Sequence, residues 1–357
     1  MFDRKYKIRT RLYAGQGLGN QLWLYSVVRS LAIRTGNKHG IECFWRFKGS
    51  HFLSIKKGHV GIYVPSNRPM VKHLGILENR IVENKKRIPG YSFDFSDYSK
   101  IDVIRSSRLE GNFESEKYLE DARDILKREL QVRKPTILPT NLCIVNVRGG
   151  DYVGNKQTLL TATYYLNAIK VMQNRYLDVF FGIVTDDANY ARQILPGIPI
   201  LSGSIVNYRK LTGGDKAKVE LDFSLLQGAH KLIISNSSFS WWGAWTNLNS
   251  PYVIAPRYWD AHKSNLGLWA PQDILTREWN WLSKEGLLRD YEQECHLKAE
   301  SQNSKETFSN NFVNSKDWIP KRTKNALRVF VFKKLSKLYY FQKLHRVRNK
   351  IREKLTH

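Results

Sequence analysis

Acidic residues are in short supply in this chain. Its 357 residues include 32 Asp and Glu against 58 Lys and Arg, a formal charge of +26. Such an excess points to an anionic partner: nucleic acid, anionic lipid or a phosphorylated substrate. The imbalance is uneven, because residues 321–357 hold 13 basic residues against the single acid Glu353. Cysteine is scarce too. Cys43, Cys143 and Cys295 are odd in number, far apart and not at metal-ligand spacing, which excludes a disulfide framework and suits a reducing compartment. Apolar runs stay short of the ~18 residues of a membrane span, so no spanning helix is expected. The opening MFDRKYKIRTRLYA lacks the apolar core of a signal peptide. The expected location is cytoplasmic, or peripheral at the inner face of the cytoplasmic membrane. There is no G-x-S-x-G elbow and no internal repeat, and His39, His59, His230 and His262 form no i, i+4 ligand pair.

What is present reads as two α/β units. With 42% hydrophobic residues the chain can bury sizeable cores, and its length makes two domains the default. Arg9–Ala14 predicts a strand, followed by the glycine loop Gly15–Asn20 and a helix to about Thr35 that Gly36 stops. Gly40–Phe47 predicts the next strand. Ser115–Gln131 predicts a helix with Ser115 as N-cap, and Pro135 and Pro139 mark a break. Beyond the break, strands are expected at 142–147, 179–185, 198–202, 231–235 and 252–255, the last of the series. Helices at 163–174, 188–195 and 218–230 fall between them, and Trp241 opens one more. Such alternation predicts a parallel sheet covered on both faces. The boundaries are 1–138 for the first α/β domain, 139–285 for the second, and 286–357 for an extension. Its basic, amphipathic end, 321–357, is expected to form a helix and lie on an anionic membrane surface.

Three polar switches follow strands of the second unit: Arg148–Asp151, Asp186-Asp187 and Ser235–Ser240. If those strands are neighbours, the three converge on one edge, where α/β sheets bind ligands. The Arg148 fork suits a diphosphate, with Gly149 and Gly150 leaving room for it. Ser237 and Ser238 beside a helix start suit phosphate oxygens. Asp222, placed near a helix start, reads either as a charge favourable to the helix dipole or as an acceptor for a base edge. Asp186-Asp187 lacks a third ligand and reads as a helix N-cap. The Trp241-Trp242-x-x-Trp245 cluster reads as core. The Gly15, Gly17 and Gly19 spacing also approximates a dinucleotide fingerprint, with Asn20 where the third glycine belongs, so a nicotinamide oxidoreductase remains an alternative. A non-enzymatic polyanion binder is another.

Five stretches in order resemble the α-1,2-fucosyltransferases of bacterial polysaccharide synthesis: GQGLGNQLW at Gly15–Trp23, LEGNFESEKY at Leu109–Tyr118, NVRGGDYV at Asn146–Val153, IVTDDANYA at Ile183–Ala191 and ISNSSFSWWGAW at Ile234–Trp245. The resemblance implies a GT-B architecture, two Rossmann-like domains facing a cleft, with the basic helical tail outside it. It implies inverting transfer of L-fucose from GDP-fucose to a sugar hydroxyl, with no metal or other cofactor. The acceptor would be an oligosaccharide, lipid-linked in a membrane setting, and nucleic acid is not an expected partner. The family's His-x-Arg-Arg-x-Asp motif maps onto Asn146, Arg148, Gly149 and Asp151, so two of its positions are changed. By this resemblance the donor-binding residues are Gly17, Gly19, Asn20, Asn146, Arg148, Asp222, Ser237 and Ser238. Arg148 and Asp151 are the catalytic candidates, with Asp151 read either as the base or as a structural residue.

Overall fold

The computed structural model describes residues 8–55, 79–82, 107–111, 113–154, 158–203, 213–257, 274–283 and 286–294. The tail at 321–357 lies outside them. The first half opens with β1 (Ile8–Arg11), α1 (Leu18–Arg34), β2 (His39–Glu42), β3 (Asn79–Val82) and β4 (Ser107–Glu110). These strands form one parallel sheet in the order β2-β1-β4-β3. Helix α1 is apolar on nearly every side and buried accordingly, from Leu18 through Ala32. Gly36 ends it in the left-handed region (φ +64°). The strand expected over Gly40–Phe47 stops at Glu42, because Cys43 adopts φ +57° and turns the chain into a short 3-10 helix at Phe44–Arg46. The helix expected over Ser115–Gln131 also divides. Ser115 caps it, Glu116–Ala122 is 3-10, and α2 covers Arg123–Glu129.

The second half supplies β5 (Leu142–Val147), α3 (Ala162–Arg175), β6 (Phe180–Thr185), α4 (Ala188–Ile194), β7 (Ile200–Gly203), α5 (Gly213–Gly228), β8 (Lys231–Ile233), α6 (Ser238–Trp245), β9 (Tyr252–Pro256), β10 (Asn280–Leu282) and β11 (Leu288–Arg289). Tyr252–Ala255 is therefore not the last strand. β11 lies past residue 285, where the sequence suggested the domain would close. The sheet runs β7-β6-β5-β8-β9-β10-β11, parallel except for the last pair. Numbered from β5, its parallel strands follow 3-2-1-4-5-6, the doubly wound nucleotide-binding order. The strand order reverses between β5 and β8, and that reversal is where such sheets hold ligands.

One apolar core crosses both halves. Trp23 of α1 lies 4.2 Å from Trp241 and 4.7 Å from Trp242 of α6, ring centroid to centroid. Trp245, Trp279 and Trp281 extend the cluster, which is core as expected. Polar ties flank it. The buried Glu116 carboxylate accepts from Trp245 Nε1 (3.0 Å) and pairs with Arg123. The Gln227 side chain accepts from Val132 N–H and donates to Leu130 carbonyl, both at 2.9 Å. The carboxyl ends of β1, β5 and β8 open into a shared cleft. Two Rossmann-like α/β halves around one cleft make a GT-B architecture, as expected.

Candidate active site

The cleft is lined by Gly17, Leu18, Gly19, Asn20, Arg148, Asp151, Tyr152, Ser237, Ser238 and Phe239. Two helix N-termini meet here. Gly17 is the N-cap of α1 and Ser237 the N-cap of α6, and neither helix is capped by that residue's side chain. Both present backbone N–H groups and the positive end of a helix dipole, which favour an anion. They touch: Ser238 Oγ donates to Asn20 Oδ1 at 3.0 Å. A Cβ on Gly19 would fall 2.5 Å from the Ser238 carbonyl carbon, so only glycine allows this approach. Helix α6 begins at Ser238 rather than at Trp241. Ser240 folds its hydroxyl back onto the carbonyls of Ser237 (3.0 Å) and Ser235 (3.2 Å), tying the polar segment to the helix.

Arg148 leaves the end of β5 and is held from two sides. One nitrogen pairs with Asp151, the other with Asp186, and the guanidinium stands 5.0 Å from the Tyr152 ring centre. Asp186 is buried at 2% exposure and also accepts Gly149 N–H at 2.9 Å. Burial raises its carboxyl above the usual carboxylate range, against the opposing pull of Arg148 and Gly149 N–H. Asp187 caps α4, accepting from Asn189 N–H (3.1 Å) and Tyr190 N–H (3.0 Å). The two adjacent acids therefore do different work, and the N-cap reading holds for the second alone. The glycines after Arg148 make room for these acids rather than for a ligand. A Cβ on Gly149 would lie 2.5 Å from Asp187 Cβ, and one on Gly150 would lie 2.5 Å from Asp186 Oδ2.

Of the residues expected at the donor site, Gly17, Gly19, Asn20, Arg148, Asp151, Ser237 and Ser238 are brought together in this cleft. Asn146 and Asp222 are placed elsewhere. Asn146 is buried and joins three strand ends: its Nδ2 donates to Val184 carbonyl (3.2 Å), and its Oδ1 accepts from Ser235 Oγ (2.6 Å). Asp222 stands in the middle of α5, not near its start, and its buried carboxylate accepts from Ser202 at the end of β7. Asp186 and Tyr152 are additions. The signal for Asp186 was its position directly after a strand, but its pairing with Arg148 needs the β5–β6 adjacency. Among the described residues, no group of three or more His, Cys, Asp or Glu is placed to hold a metal ion.

A sequence profile of glycosyl transferase family 11 matches residues 64–283, more than half of the chain. The chain belongs to glycosyl transferase family 11. This agrees with the resemblance to the α-1,2-fucosyltransferases carried by the five sequence blocks. It also displaces the oxidoreductase and polyanion-binder alternatives. The chain is 28% identical to an α-1,2-colitosyltransferase of Escherichia coli over 272 residues, 68% of this chain and 89% of that protein. It is 28% identical to the Escherichia coli O-antigen biosynthesis glycosyltransferase WbnK over 150 residues, 40% of this chain and 47% of that one. Among solved structures it is similar to the fucosyltransferase NodZ from Bradyrhizobium, at 14% identity and a TM-score of 0.41, over 67% of this chain and 93% of that one.

Proposed function

We propose that this family 11 glycosyltransferase moves L-fucose from GDP-fucose to a hydroxyl of a galactose-type acceptor, with inversion and an α-1,2 linkage, in surface polysaccharide or O-antigen synthesis. The observation that carries the reading is Arg148 beside two converging helix N-termini at the strand-order reversal of a doubly wound sheet. In the reaction, the bond between fucose C1 and the β-phosphate oxygen breaks while the acceptor oxygen bonds to C1 from the opposite face. Negative charge grows on the departing GDP. Arg148, the first-turn N–H groups of α6 and the Ser237 and Ser238 hydroxyls stabilise it, each charge-assisted hydrogen bond contributing about 1.5–3 kcal/mol. The acceptor proton passes to Asp151, the one carboxylate among the described cleft-lining residues. Asn146 and Asp186 act at one remove, fixing the strand ends and the Arg148 fork. No metal takes part in this scheme.

The likeness to an α-1,2-colitosyltransferase supports a second donor, a nucleotide-activated colitose. Both donors are incubated with terminal galactosides, and the linkage of any product is read by NMR. A fucosyl-α-1,2-galactoside is the expected product, and transfer of colitose alone replaces the donor. Absence of thermal stabilisation by GDP in the wild-type protein defeats the proposed donor. The acceptor is proposed to be lipid-linked, with the basic segment 321–357 holding the enzyme on an anionic membrane. Equal flotation with anionic liposomes of the chain with and without that segment removes the membrane role.

A further inference from the structure

We infer that Tyr13 and Trp45, with Arg46 beside them, form a shelf for the pyranose ring of the acceptor. Large aromatic rings are mostly buried in folded proteins. In this chain Trp23, Trp241, Trp242, Trp245 and Trp281 are buried to within 2%. Trp45 is 53% exposed and Tyr13 49% exposed. Both follow the carboxyl ends of adjacent parallel strands, Tyr13 after β1 and Trp45 after β2, whose last residues Arg11 and Glu42 are partners in register. That is the edge from which the glycine loop enters the donor cleft.

The backbone is built to present Trp45. Cys43 is buried and sits at φ +57°, a left-handed conformation that costs a non-glycine residue energy and recurs at functional positions. The turn it starts sends Phe44 and Phe47 against each other in the packed interior, centroids 5.2 Å apart, and leaves Trp45 outside. Arg46 lies 5.8 Å from the Trp45 ring centre and reaches toward Leu12 carbonyl at 3.5 Å. The turn is also fastened to the donor side. Gln21 of α1, buried to 1%, donates to Arg46 carbonyl and accepts from Lys48 N–H, both at 2.9 Å. Gln21 is one residue beyond Asn20, which binds Ser238. The shelf and the cleft therefore share one rigid support.

Two exposed aromatic rings after neighbouring strand ends, with a guanidinium beside Trp45, suit a sugar ring that has one apolar C–H face and hydroxyls at its rim. A galactose-type ring has such a face, because its axial hydroxyl leaves the opposite side bare. The inference rests on the proposed function, and its test separates the two. Saturation-transfer NMR is run on the full chain with GDP present, using methyl β-D-galactoside as probe and methyl β-D-glucoside as comparator. GDP binding is measured for each protein by calorimetry. Wild type is expected to transfer saturation to the ring protons of the galactoside more strongly than to those of the glucoside. Trp45→Ala is expected to lose the signal and to weaken galactoside binding about tenfold or more, whereas Trp45→Phe retains it and Tyr13→Ala weakens it. GDP affinity stays within about twofold in every variant. An unchanged galactoside signal in Trp45→Ala, or no signal in a wild type that binds GDP, overturns the shelf. A wild type that binds galactoside but not GDP overturns the donor reading instead.

Discussion

Replacing Gly19 by alanine tests the contact on which the cleft depends. The added Cβ would meet the Ser238 carbonyl carbon at 2.5 Å, Phe239 nitrogen at 2.6 Å and Ser238 Cβ at 2.6 Å. Nonbonded carbon atoms settle at about 3.5 Å, and two of the three partners are backbone, so α1 and α6 must part by about 1 Å. Overpacking of this kind costs about 1–3 kcal/mol. Alanine recovers up to about 1 kcal/mol through helix propensity, and less in a first turn. The fold should therefore lose only about 1–2 kcal/mol, a few degrees in melting temperature. Binding should suffer more. Separation breaks the Ser238–Asn20 bond and draws one helix N-terminus off the proposed phosphate site. A lost charge-assisted bond of about 1.5–3 kcal/mol means roughly 10- to 100-fold weaker GDP binding. Gly17→Ala is the control for sterics, since a Cβ there meets nothing within 4 Å and φ is −67°. That variant should melt with wild type, and any fall in its GDP affinity then measures crowding of the ligand alone. Melting curves and GDP calorimetry on both variants decide. A folded Gly19→Ala protein that binds GDP within threefold of wild type refutes the reasoning.

Arg148→Lys keeps the charge but cannot engage both flanking acids and a diphosphate, so kcat/KM should fall about 100-fold or more; turnover near wild type removes Arg148 from the donor site. Asp151→Asn should lower kcat strongly while GDP binds as tightly as before or tighter, because the competing carboxylate is gone; an unchanged kcat shifts the base elsewhere. Asp186 holds its proton above the usual carboxylate range in the fold, so its contribution to stability is complete in acid and declines as pH climbs through that raised value. In Asp186→Asn this share of the pH dependence should vanish, read by urea denaturation as pH rises from below the ordinary aspartate value. EDTA should leave transfer rates unchanged, and a loss restored by Mg²⁺ or Mn²⁺ would reinstate a metal.

The second half was largely legible because its strands are continuous apolar runs. Leu142–Val147 needed no more than that, and being buried on both faces is what makes such a run continuous. Arg148 was legible for a related reason, as the charged residue just past a buried strand. What sequence could not reach was contact across strands. The two glycines after Arg148 read as space for a ligand, and only the register of β5 with β6 shows two acids filling that space. The start of α6 was misplaced because Ser237–Ser240 looks like a loop until the Ser240 hydroxyl is seen bonded to the Ser235 and Ser237 carbonyls. Asp222 was misplaced because α5 begins at Gly213-Gly214, which helix propensity argues against, so the helix reads too short. Cys43 carries no mark of its left-handed backbone, and the exposure of Trp45 follows from it.

The charges around Arg148 explain why a diphosphate, rather than any anion, should suit this cleft. Arg148 faces two carboxylates, which alone would make the site acidic. Asp186 is buried, paired with Arg148 and fastened to Gly149 N–H, so it is the harder of the two acids to exchange. Asp151 is partly exposed, at 32% of its side chain, and can be exchanged for a phosphate oxygen. Each helix N-terminus adds about half a positive charge. With α1 and α6 together contributing about one unit, Arg148 and the two helix N-termini offset the charge of the two acids, and a singly charged anion gains little by displacing Asp151. A diphosphate can engage α1, α6 and the vacated Arg148 nitrogen at once, over the short span set by the Gly19–Ser238 contact. Under the proposed function, exchange of its Arg148 pairing for a phosphate oxygen would make the Asp151 carboxylate more available to take the acceptor proton. On that proposal donor binding and arming of the base are the same event, a coupling that would disfavour proton removal from an acceptor before the donor has arrived.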